Sequence, residues 1–171
     1  LHRENDEKSY ELYAEEINLV LKHLGYRGGK VLEVGCGNGA LYPFLNIPSE
    51  NYLGVDISPK MIEIFQSEHP EANVSVADGG DLSQFGDVDV IFGNAVHQHF
   101  PPKMLAANIE QAQKMLGDGG IFLMANVPYR RLRSQYYGGA LADSHREEKV
   151  SAKEHLRRFW HRYIKVHLPI H

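Results

Sequence analysis

Residues 33–39 read Glu-Val-Gly-Cys-Gly-Asn-Gly, three glycines at alternate positions behind an acid. Gly35 and Gly37 remove Cβ atoms where a ligand would lie against backbone. A helix opening just after such a loop presents free N–H groups, which favour a carboxylate or phosphate. Asp56 closes a second apolar run 21 residues past Gly35. A carboxylate there can accept from both hydroxyls of a ribose. Asp78-Gly79 closes a third run, and its acid can accept from an adenine amino group while the next N–H faces the ring. Residues 93–100, Gly-Asn-Ala-Val-His-Gln-His-Phe, follow a fourth run. His97 or His99 there is a candidate base toward an acceptor hydroxyl, and the alternative is that both pack or cap the loop. A His-x-His pair can also hold a metal, but no Cys or acid stands at ligand spacing nearby, so no metal is expected. Cys36, inside the glycine loop, reads as a small packing residue.

These groups need a frame that delivers each to one edge of a sheet. Tyr10, Tyr13, Ile17, Val20, Leu21 and Leu24 recur at helical spacing, and Gly25 follows as a stop. Strands are expected at 30–34, 51–56, 73–77, 87–93 and 119–127. Between them, a short helix is expected over about 39–46. Ser58-Pro59 opens another that runs to about His69. Pro101-Pro102 opens a third, with Leu105, Ile109, Ala112 and Leu116 on one face. Strands apolar on both faces, alternating with helices, predict a doubly wound α/β parallel sheet. Ligands of such sheets sit at the carboxyl ends of the strands.

In this order and spacing the residues resemble the class I, Rossmann-like S-adenosylmethionine-dependent methyltransferases, over roughly residues 10–127. The resemblance implies strand order 3-2-1-4-5 and a bound S-adenosylmethionine, with S-adenosylhomocysteine as product. It places Glu33, Gly35, Cys36, Gly37 and Gly39 at the methionine end of the cofactor. It gives Asp56 the ribose, Ile57 and Met61 the adenine face, Asp78 the adenine amino group and Gly79 the ring edge, with Asn94 beside the glycine loop. Nucleic-acid and glutamine amino-methyltransferases carry Asn/Asp-Pro-Pro-aromatic after the fourth strand. Ala95-Val96 follow Asn94 here, so a small-molecule acceptor (O- or N-methylation of a metabolite or sugar) is implied instead. Tyr10, Tyr13, Tyr129, Arg130, Tyr136 and Tyr137 fall on the acceptor side by the same resemblance.

A nicotinamide-binding oxidoreductase is the main alternative, because Gly35-x-Gly37-x-x-Ala40 with Asp56 also fits the dinucleotide pattern. Gly39, Glu33 and Asp78-Gly79 favour the methyl donor. An acid at the loop suits an ammonium and a sulfonium and would repel a pyrophosphate.

The chain reads as a single domain: a leading helix over 1–29, a cofactor-binding core over 30–127 and a basic lid over 128–171. The family fold carries two further strands. Only 163–168 offers one after Val127, so the last two are expected to be absent or incomplete. A sheet ending at its fifth strand would leave an edge open to homodimer pairing. The lid holds ten Lys/Arg against four Asp/Glu, while the whole chain carries −4. Arg130, Arg131 and Arg133 could draw in an acidic acceptor. A non-catalytic methyltransferase-like module that binds a partner through this tail is the third reading. The basic residues lack aromatic interleaving or zinc-finger spacing, which disfavours nucleic acid. No long apolar run points to a membrane, and the single cysteine sets a cytoplasmic expectation.

Overall fold

The five described strands are too short to stand alone, and all find partners in one parallel sheet. The computed structural model describes residues 2–127, with side chains from Lys8 onward. The strands are β1 (Val31–Val34), β2 (Tyr52–Asp56), β3 (Asn73–Val76), β4 (Val88–Asn94) and β5 (Leu116–Ala125). Their order is β3-β2-β1-β4-β5, as expected, and every pairing is parallel. The chain winds outward from β1 to β3, then crosses back to β4 on the other side. The carboxyl ends of β1 and β4 therefore flank the topological switch point, where such sheets bind ligands.

Helix α1 (His2–His23) buries Ala14, Ile17, Val20 and Leu21, three and four residues apart. It ends as the sequence indicates: Gly25 turns left-handed at φ +94°, and the Tyr26 N–H donates back to Leu21 O at 2.9 Å. Helix α2 (Pro59–Glu68) starts on Ser58, whose Oγ accepts from the Met61 N–H. These two helices cover the face that carries Val31, Tyr52, Val90 and Phe92. Helix α3 (Pro102–Met115) covers the other face, against Leu32, Val55 and Ile91.

Three expectations are corrected. No helix spans 39–46; only a 3₁₀ turn forms, at Tyr42–Phe44. Pro43 is the cause, because it cannot donate the bond that an α-helix would send to the Gly39 carbonyl. Tyr42 N–H bonds to Gly39 O instead, at 3.0 Å. The fifth strand starts at Leu116, not Gly119. Leu116 pairs with Val88 and Ile121 with Val90, so Gly117–Gly120 bulge outward between them. Leu116 thus belongs to the sheet, and the buried stripe of α3 runs through Asn108, Ala112 and Met115, with Leu105 and Ile109 half-buried at its sides.

Among the described residues no helix is long and apolar enough to cross a membrane. The expected lid at 128–171 lies outside them, and with it Tyr129, Arg130, Arg131, Arg133, Tyr136, Tyr137 and the strand candidate at 163–168.

Candidate functional site

The glycine loop leaves β1 and is held against β2. Gly35 and Cys36 N–H both donate to Val55 O, at 2.7 and 3.0 Å. Gly35, Gly37 and Gly39 all have positive φ, yet they serve different ends. A Cβ on Gly35 would collide with the Val96 side chain, so this glycine lets the loops after β1 and β4 meet. A Cβ on Gly39 would lie 2.6 Å from the Phe65 ring, so this one admits α2 packing. A Cβ on Gly37 would meet nothing within 4 Å. Gly37 alone of the three opens toward free space.

Two carboxylates lie under that loop. Asp56 Oδ2 accepts from Gly37 N–H at 3.0 Å and its Oδ1 from Ser58 N–H at 2.9 Å. The residue expected at a ribose therefore also ties the glycine loop to the start of α2. Glu33 is 2% exposed and accepts from the Tyr52 hydroxyl at 2.5 Å. Burial raises its carboxyl to about 7, the nearby Asp56 charge adds to this, and the Tyr52 bond opposes it. Burial also pushes the Cys36 thiol up, helped by Glu33 and Asp56, so it stays a protonated packing group.

Next to Asp56, Ile57 is 65% exposed and Met61 41%, two apolar side chains in water at the carboxyl edge of the sheet. Asp78 is exposed, and its Oδ1 accepts from Gly80 N–H at 2.7 Å. Gly79 is buried, where a Cβ would strike Phe100 at 2.6 Å and Val34 at 2.9 Å.

The loop after β4 separates the two histidines. His97 is 3% exposed, packed edge-on to Phe122 and tilted against Phe100. Burial holds its imidazole down at about 4, against a weaker upward pull from Asn108. That side chain lies near the ring, yet the geometry of a hydrogen bond is not met, and both ring nitrogens are without a partner. His99 is exposed, with its Nε2 3.2 Å from Gln98 Nε2. Asn94 Oδ1 accepts from Asn126 Nδ2 at 2.6 Å, joining the ends of β4 and β5. Tyr10 and Tyr13 are half-buried on α1, and Tyr13 packs on the core. Among the described residues no group of three His, Cys, Asp or Glu is placed to hold a metal ion.

Sequence reasoning missed Tyr52, Asn108, Val96 and Asn126. Each acts through a partner far away in the chain, so no local spacing marks it. An acid at position 33 of an otherwise apolar strand was a usable signal that something must satisfy it.

The sheet order, its switch point between β1 and β4 and the glycine loop together define a class I methyltransferase fold. The chain belongs to the methyltransferase-domain family, whose model matches residues 31–120. Solved structures agree in fold. DesVI of Streptomyces venezuelae superposes with a TM-score of 0.62 at 17% identity, over 72% of this chain and 53% of that one. An amino pentose methyltransferase from Micromonospora echinaspora, solved with S-adenosylmethionine bound, gives 0.64 at 15%, over 71% and 52%. A TehB-like S-adenosylmethionine-dependent methyltransferase from Corynebacterium glutamicum gives 0.53 at 25%, over 72% and 71%. This chain spans about half the length of the first two.

Proposed function

We propose that the protein binds S-adenosylmethionine at the carboxyl ends of β1–β4 and transfers its methyl group to a small-molecule acceptor. The observation that carries this reading is Gly37: left-handed, open on its outer side and anchored by Asp56. A ligand can approach the backbone there as no side chain would allow. Glu33 beneath the loop fits a ligand with an ammonium and a sulfonium, and disfavours a pyrophosphate. When bound, the cofactor supplies an electrophilic methyl on sulfur. The chain's own part is to hold and orient it.

In this reading Gly35, Cys36, Gly37 and Gly39 shape the wall at the methionine end. Glu33, sealed behind Tyr52, acts on the cation by its field and not by contact. Asp56 takes the ribose diol with the lone pairs its two backbone bonds leave free. Ile57 and Met61 lie against adenine, which would remove their exposed apolar surface from water. Asp78 reads the adenine amino group at the Gly79 edge, and Asn94 closes the crevice from the β4 side.

Neutral His97 supports the β4 loop from within, and the exposed His99 is the ring that can reach an acceptor proton. Tyr10 and Tyr13 serve the acceptor, and the basic residues past 127 supply charge that would draw in an acidic one. The acceptor we propose is a hydroxyl or amine of a metabolite or sugar; an amino pentose is the one named for a fold neighbour. A cytoplasmic setting suits a cofactor of central metabolism. The test is incubation with S-adenosylmethionine and a panel of amino sugars and hydroxylated metabolites, read by mass spectrometry. A product heavier by one methylene, absent from a Gly37→Ala control, is expected. No such product from any acceptor, despite cofactor binding, would favour the partner-binding module.

A further inference from the structure

One peptide unit next to the proposed adenine site is gripped at both ends. The Gly79 carbonyl accepts from Asn108 Nδ2 at 2.7 Å. The N–H of the same unit, on Gly80, donates to Asp78 Oδ1 at 2.7 Å. Asn108 is fully buried in the middle of α3, 29 residues away. From these contacts, and resting on the reading of the site above, we propose that Asn108 is a positioning residue for cofactor specificity. It fixes the Gly79–Gly80 peptide, which fixes the Asp78 carboxylate that discriminates adenine.

The geometry gives each part a reason. Gly79 is wedged against Phe100 and Val34, so its carbonyl has little room to rotate once Asn108 holds it. With the peptide plane set, Gly80 N–H occupies one carboxylate oxygen and leaves Oδ2 for a ligand donor. An adenine amino group donates to that oxygen. Hypoxanthine presents a carbonyl in its place, and two acceptors would face each other. Asn108 also keeps its own Oδ1 without a hydrogen-bond partner in the interior. Burying an unsatisfied acceptor is unfavourable, and an apolar residue of the same size would avoid it. What leucine cannot supply is the N–H to Gly79.

The test compares Asn108→Leu with Met115→Ala, seven positions further along the same buried stripe and outside the relay's hydrogen bonds. Two readouts are needed: the Gly80 amide proton shift by NMR, and the Kd ratio of S-adenosylhomocysteine to S-inosylhomocysteine. Wild type should prefer the adenine ligand by about tenfold or more, the worth of one charged hydrogen bond. Asn108→Leu should move the Gly80 amide and bring the preference to about twofold or less. Met115→Ala should lower Tm but leave both readouts alone. Should Asn108→Leu fail to fold, Asn108→Ser, whose hydroxyl is too short to reach Gly79, takes its place. A wild-type ratio in the Asn108 variant, or equal loss in Met115→Ala, would overturn the proposal. The two failures are separable: wild type binding neither ligand overturns the reading of the site, whereas an unmoved Gly80 amide overturns the relay itself.

Discussion

The Tyr52 hydroxyl donates to the Glu33 carboxylate across 2.5 Å, in a part of the core that water does not reach. One strand end beyond them lies the glycine loop. The pair places a titratable negative charge under the proposed cofactor, with its carboxyl raised to about 7 by burial. A bound cation favours the ionised form, so binding below that value must release a proton. Affinity for S-adenosylmethionine should therefore rise as pH goes from 6 to 8 and then level, by up to about tenfold. Glu33→Gln should remove the slope and bind weakly throughout. Calorimetry in buffers of different ionisation enthalpy measures the proton directly. A slope that survives in Glu33→Gln would assign it elsewhere.

Glu33 and His97 bias stability in opposite directions over nearly the same pH range. The raised Glu33 binds its proton more tightly folded than unfolded, so its contribution is present below about 4.5 and lost as pH rises to about 7. The depressed His97 contributes above about 6.5 and loses it as pH falls to about 4. Each shift corresponds to on the order of 3 kcal/mol, so the two largely cancel in wild type. Single substitutions should uncover them. Glu33→Gln should gain stability as pH rises from 4 to 6.5, and His97→Phe should lose it from 4.5 to 7. Urea midpoints across pH report both. Parallel curves for the two variants would contradict the assignment.

Gly37 and Gly39 are both left-handed, yet their alanine variants should fail differently. Gly37→Ala should cost about 1 kcal/mol of stability, the strain of a Cβ at positive φ with no clash. Its Cβ would occupy the ligand's approach, and S-adenosylhomocysteine affinity should drop about a hundredfold or more. Gly39→Ala drives a methyl into the Phe65 ring and should cost on the order of 3 kcal/mol. Thermal melts with and without S-adenosylhomocysteine separate the two. A Gly37→Ala protein that gains as much Tm from the ligand as wild type would move the site away from this loop.

Much of this arrangement was legible in the residues. Apolar runs of strand length bounded by Gly, Pro and Asp gave five strands, alternation with helices gave a parallel sheet, and the family resemblance implied its order. The Gly35–Gly39 loop, Asp56 and the Ser58-Pro59 start depend on local backbone chemistry, which sequence carries directly. What failed has physical causes. A helix was expected over about 39–46, but Pro43 cannot donate the bond to the Gly39 carbonyl. The fifth strand was expected to start at Gly119, whereas Leu116 already pairs with Val88 ahead of the bulge. Periodicity put Leu105 and Ile109 at the core of α3, and the structure puts Asn108 there, because the Gly79 carbonyl needs a donor. Tyr52 on Glu33 and Asn108 on Gly79 are contacts between distant segments, and only the fold brings them together.

If the glycine loop admits a methionine-linked nucleoside, calorimetric titration of the chain with S-adenosylmethionine, S-adenosylhomocysteine and NAD(H) should show micromolar binding of the first two and none of the third. Binding of NAD(H) alone would contradict it, because Glu33 under the loop would then be facing a pyrophosphate.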